Sequence, residues 1–308
     1  MSYMGSSPQQ HNGQQFTPEV LPPEGGYGSS HAPDSAPGRV RHAWWAAAPA
    51  TYVLMGINIA VFVAMTLRGV GFWNPDTDRL LNWGADHTGL VLIYGEWRRV
   101  VTAMFVHVGI LHLATNMWCL WNLGLLAEPL MGSFGVVAVY VLTGAAGNLL
   151  SILTNWWQGY HDFAPVLALY HGAPPLDQVL PYFPAGAGAS GAVFGIAGAL
   201  IVLLNPDRLP MAPRDELKKM RRSVITFAAI NLILPWTVNF GAAAMHADLR
   251  IDNFAHIGGV ACGLLFAVPM APLPAVPRKL FDLRLRAAIG MVAGLLVLFG
   301  FYLAQLPR

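Results

Sequence analysis

The chain has 308 residues, 55% hydrophobic and 11% charged, with a formal net charge of only +2, against about 25% charged residues in ordinary soluble domains. That balance describes a polytopic membrane protein, and no nucleic-acid partner is expected of it. Its two cysteines, Cys119 and Cys262, both lie in apolar runs, which excludes a disulfide framework and a thiolate zinc site; no metal or other cofactor is expected.

Residues 1–43 are rich in Pro, Gly, Ser, Gln and His with few aliphatics, the composition of a disordered tail, here expected on the cytoplasmic side. No basic segment followed by a short apolar core opens the chain, so no cleavable signal is expected. Crossing a bilayer as a helix takes about 20 apolar residues. Seven stretches qualify: 48–67, 109–129, 134–154, 186–204, 224–241, 253–271 and 287–305. The expected fold is an all-α membrane protein. Its organisation reads as a tail (1–43), a six-helix core (44–272), and a basic linker with a seventh transmembrane helix (273–308).

Lysine and arginine orient these spans. Twelve of the eighteen precede span one or lie between spans four and five and spans six and seven. Because basic residues stay on the cytoplasmic side, the N-terminus is expected in the cytoplasm and the C-terminus outside, in a multi-pass protein of the cell membrane. Loops 68–108, 155–185 and 242–252 then face outward. The first two are dense in aromatics, among them Trp73, Trp83, Trp97, Trp156, Trp157 and Tyr160, which suits rings settled at the headgroup layer.

Three spans entering from the outer face carry polar residues near that end. Span two opens HLATN, placing His112 and Asn116 four apart on one helical face. Span four reads GAGASGAVFGIAG over 186–198, with Ser190 expected about one turn below its start. Span six opens DNFAHIGG, with His256 about a turn in. Ser, His, His and Asn thus meet at one depth, about 6–10 Å below the boundary at 1.5 Å per residue. Each alone reads as interhelical glue. Together they suggest chemistry, since polar groups inside a membrane are costly and functional by default. A hydroxyl beside an imidazole is a nucleophile with its base. Neutral donors such as the Asn116 amide, the His112 ring and the Ser190 N–H supply an oxyanion site. No acid is placed to orient His256, since Asp252 lies a turn away toward the surface, so a Ser–His dyad is expected, with Phe194 pressing on the ring. The glycines Gly188, Gly191, Gly195 and Gly198 of span four, and Ala255, Gly259 and Gly263 of span six, form smooth faces that let the two backbones touch.

These residues resemble the rhomboid family of intramembrane serine proteases, over about residues 50–272. The resemblance rests on GEWRRVVTAMFVHVGILHLATN (95–116), the glutamate of LLAEPLMG (125–132), GASGAVFG (188–195) and DNFAHIGGVACG (252–263). It implies Ser190 as nucleophile, His256 as base, and His112 and Asn116 lining the oxyanion hole. It further implies a loop-anchoring arginine at Arg99, with Arg98 the other candidate, a loop- and water-holding His107, and a structural Glu128. The seventh span resembles the six-plus-one arrangement. The activity implied is cleavage of transmembrane protein substrates near the outer membrane face, with access from the side past span five, where Pro235 and Trp236 loosen the wall. Two rivals stand beside it: a catalytically inactive rhomboid-like binder of membrane helices, and a histidine-ligated metal or haem membrane protein.

Overall fold

A computed structural model describes residues 48–207, 213–244, 252–270 and 277–306, without the side chains of 234–244. The chain divides into units 1–41 and 42–308. The tail expected at 1–43, most of loop 242–252 and the Pro235 and Trp236 side chains lie outside the described residues.

The molecule is an all-α membrane protein whose helices overlap all seven apolar stretches. α1 (Pro49–Leu67) fills the first. α5 (Ile110–Leu167) supplies the second and third as two arms, 110–131 and 133–167, meeting at Gly132. There φ is +72°, a left-handed value that a side chain would resist. α6 (Ser190–Leu203), α7 (Arg214–Ala244) and α8 (Asn253–Ala267) follow, and α9 (Arg278–Leu303) is the seventh. Among the described residues only α1, α5 and α9 are long and apolar enough to span a membrane unaided.

The short helices decide where the site lies. At 1.5 Å per residue, the 14 residues of α6 reach about 21 Å, short of the roughly 30 Å hydrocarbon core. The polar Asn205 and Asp207 follow its C-terminal end, so the recessed end is the one that begins at Ser190. Irregular backbone is tolerated at membrane depth only where protein satisfies it. Here Gly188 N–H donates to the Ala103 carbonyl at 2.9 Å, and Ala189 N–H donates to His107 Nε2 at 3.4 Å.

Both partners belong to loop 68–108, which is more than an aromatic fringe. It folds as α2 (Thr77–Asn82), β1 (Asp86–His87), α3 (Thr88–Leu92) and α4 (Arg99–Thr102). Leu80, Leu81, Ala85, Leu90 and Val106 bury against Met65 at the end of α1. β1 pairs antiparallel with β2 (Ala185–Gly186), Asp86 opposite Gly186. The second arm of α5 runs on to Leu167, thirteen residues past the expected end, and makes a helix of the first part of the expected loop 155–185. Trp156, Phe163 and Phe183 there are buried with Val91, Val100 and Leu303 of α9. These rings are therefore core and not headgroup belt, because a second apolar layer lies over them. Trp73 and Trp157, by contrast, are 71% and 64% exposed. α9 thus packs along α5 and the end of the loop.

Candidate active site

Ser190 is the first residue of α6, with Ala189 as its cap. The expectation that it lay a turn inside is corrected: residues 186–189 are strand and turn, because Gly188 adopts φ +123°. A side chain there would overlap the His112 ring. The first-turn N–H groups of a helix have no intrahelical acceptor, so the Ser190 N–H faces outward at the positive end of the helix dipole.

His256 lies in the first turn of α8, 7% exposed, with its Nε2 2.9 Å from Ser190 Oγ. Phe194 stacks on the imidazole at a centroid separation of 4.3 Å and 18°. Among the described residues its buried Nδ1 has no partner. Asp252 does not reach it; that carboxylate caps α8 by accepting from the Phe254 and Ala255 N–H groups.

The glycines set the distance between the two helices. A Cβ on Gly259 would overlap the Gly191 carbonyl oxygen, one on Gly263 the Gly195 carbonyl, and one on Gly198 the Val260 carbonyl. Backbone meets backbone across the whole seam. Gly188 is not part of this ridge; it belongs to the turn over His112. The sequence reading missed a third wall. Gly144 and Gly147 of α5, three residues apart, admit Met104 and Ala192 and the Ala255 carbonyl respectively. Their spacing within an apolar run was the available signal.

Facing the dyad, His112 Nδ1 accepts from the Val108 N–H at 3.4 Å, which leaves the proton on Nε2, the nitrogen beside Gly188. Asn116 donates one amide hydrogen to the His112 carbonyl at 2.9 Å, leaving the second. His107, fully buried, accepts from Ala189 N–H at Nε2, and its Nδ1 faces the Phe105 carbonyl at 3.3 Å. Burial, reinforced by neighbouring His112, pushes His107 down to about 3, so this hinge between loop and α6 stays neutral.

Arg99 is 5% exposed and donates to Glu96 at 2.6 Å and to the Leu81 and Ala85 carbonyls at 2.7 Å. Arg98 donates to Glu96 from a side chain 61% exposed. Geometry therefore gives the loop-holding place to Arg99. Glu128 sits at the opposite end of the bundle, accepting from Ala50 N–H, Thr51 N–H and hydroxyl, and the Ser133 hydroxyl. It joins the start of α1 to the break in α5. Between α5 and α7 a groove of about 670 Å³ is lined by residues including Trp118, Cys119, Phe227 and Ile230. Phe227 also meets Phe194, at 5.9 Å.

Comparison with known proteins follows the same residues. The family model "Rhomboid domain" matches residues 94–273, more than half of the chain. Rhomboid protease GluP of Bacillus subtilis is 30% identical over 79% of this chain and 38% of its own length. Rhomboid protease AarA of Providencia stuartii is 29% identical over 73% of each. Inactive rhomboid protein 1 of Rattus norvegicus is 30% identical over 67% of this chain and 20% of its own. The chain thus spans well under half the length of two of these three relatives.

Proposed function

The chain belongs to the rhomboid family, and from that premise we propose that it is an intramembrane serine endopeptidase using Ser190 as nucleophile and His256 as general base. The observation that carries this is the 2.9 Å approach of His256 Nε2 to Ser190 Oγ, beside a glycine seam that fixes both helices.

With Nε2 accepting the serine proton, Oγ attacks the substrate carbonyl and a tetrahedral oxyanion forms. The Ser190 N–H, the His112 Nε2–H and the second Asn116 amide hydrogen converge as its donors. The imidazolium then protonates the leaving amine, and water resolves the acyl-enzyme. Phe194 holds the ring in plane where, among the described residues, no acid does. A substrate helix must unwind first, since helical backbone hides its carbonyls. The groove between α5 and α7 supports lateral access, and Phe227 places its wall one ring from the base. The positive-inside distribution supports cleavage at the outer face of the cell membrane, with the N-terminus cytoplasmic.

An inactive helix-binding relative is the competing reading, supported by the inactive protein among the similar chains. Both groups of the dyad stand in bonding position here, which favours activity. The test is reconstitution of the full chain with a panel of transmembrane reporters. Cleavage by the wild type that disappears in Ser190→Ala and in His256→Ala supports the reading; cleavage that survives either substitution rejects it. Metal analysis of the same preparation addresses the histidine-ligated rival, which stoichiometric bound metal would favour.

A further inference from the structure

Asp252 stands one turn before His256, and both of its oxygens are engaged. Oδ1 accepts from the Phe254 and Ala255 N–H groups, each at 3.0 Å. Oδ2 accepts from the Ser151 hydroxyl of α5, which in turn accepts from Asn155 Nδ2. A cap tied to a second helix fixes where α8 begins. It thereby fixes the height of His256 against Ser190.

A second carboxylate faces this one. Asp86 in β1 is 3% exposed, and its Oδ1 has no partner among the described residues. It pairs with Gly186, four residues before Ser190. A Cβ built on Gly186 would lie 3.9 Å from Oδ2 of Asp86 and 3.9 Å from Oδ2 of Asp252, so the two acids flank one glycine. Two carboxylates sharing a buried site do not both ionise freely. Among the described residues, the other charged group acting on Asp86 is Arg99 of α4, while His87 of β1 contributes its backbone N–H. Arg99 is committed to Glu96 and two carbonyls, and the His87 ring turns to the Leu180 carbonyl at 3.3 Å. From α5 comes the neutral Ser151 hydroxyl, itself held by Asn155.

We propose that Asp252 and Asp86 form a carboxylate pair that positions His256, with Asp252 as cap and tether and Asp86 opposite it across Gly186. The pair ties the start of α8 to α5 and to the strand leading into Ser190. Neither acid touches the imidazole, so both are positioning residues, and the assignment rests on the proteolytic reading above. Burial, then the charge on Asp252, pushes Asp86 up to about 8, which keeps it protonated at neutral pH. An acid raised from about 3.9 in the unfolded chain adds stability that is full below that value and lost as pH climbs through about 8. Above it, two charges confront each other at the start of α8.

The test compares full-length wild type, Asp86→Asn, Asp252→Ala and Asp252→Asn in detergent micelles between pH 6 and 9.5. Readouts are fluorophosphonate labelling of Ser190, reporter cleavage and thermal unfolding. Relative to Asp86→Asn, wild-type labelling should fall at least three-fold between pH 7 and 9. The wild-type unfolding midpoint should drop over that range while that of Asp86→Asn stays level. Asp252→Ala should lower kcat at least ten-fold with KM within two-fold, and Asp252→Asn, which still caps, should recover most of it. Parallel pH profiles for wild type and Asp86→Asn, or an Asp252→Ala enzyme with wild-type kcat, would overturn the proposal. A wild type that neither labels nor cleaves defeats the proteolytic reading instead, and the unfolding profiles then decide the pair alone.

Discussion

The dyad has two flanks built in opposite ways. On one, α6 and α8 meet through Gly191, Gly195, Gly259 and Gly263 with backbone against backbone. On the other, α5 and α7 stand apart around a groove lined by Trp118, Phe227 and Ile230. A glycine seam has almost no freedom to vary its width, because its spacing is set by main-chain atoms. A groove lined by long side chains such as Trp118, Lys219, Arg222 and Phe227 has many rotamers and can yield. The first arrangement suits holding a hydroxyl and an imidazole at hydrogen-bond distance, and the second suits passing a substrate segment. On the proposed reading, one pair of helices provides rigidity and the other pair provides access.

Substitutions can break this contrast in graded ways. Removing the dyad itself comes first: Ser190→Ala or His256→Ala should lower reporter cleavage at least about 10³-fold, with thermal stability little changed. Next is the seam. Gly259→Val and Gly263→Val drive side-chain atoms into the Gly191 and Gly195 carbonyls. Each should destabilise by about 1–3 kcal/mol and cost roughly two orders of magnitude in kcat as the dyad is pried apart, about 2.7 kcal/mol. KM for a transmembrane reporter should move far less.

Arg99→Ala acts on the cover over the site. It leaves the Leu81 and Ala85 carbonyls without their donor, which should cost about 3 kcal/mol by thermal or denaturant unfolding. Arg98→Ala should stay within about 0.5 kcal/mol, since its side chain is exposed. The groove should give the smallest effect. Trp118, 63% exposed, has no contact with the dyad that its removal would break. Trp118→Ala should change kcat/KM for a transmembrane reporter about two- to five-fold, about 0.4–1 kcal/mol, while labelling of Ser190 by a small probe follows wild type. Equal effects on both readouts would mean that the groove is not a route.

Much of this was legible because membrane sequence is a restrictive code. Apolar length marked the seven stretches, and the polar exceptions His112, Asn116, Ser190 and His256 marked what the spans carry. The ridge of Gly191, Gly195, Gly259 and Gly263 showed which faces meet. The start of α6 was misplaced because GAGA reads as continuous apolar helix, and only the positive φ of Gly188 breaks it. Loop 68–108 and residues 155–167 read as interfacial because hydrophobicity cannot separate a buried ring from one in a headgroup layer. That distinction needs the tertiary partner, here α9 and α5. Asp86 and Asp252 lie 166 positions apart, and no local pattern links them; strand pairing and the α8 cap bring them together.

The most direct test of the central claim is mass spectrometry of the full chain after treatment with a fluorophosphonate. The account predicts a single adduct on the peptide containing Ser190 in the wild type and its loss in His256→Ala. An adduct that forms equally well without the imidazole, or one found on another residue while Ser190 stays unmodified, would contradict it.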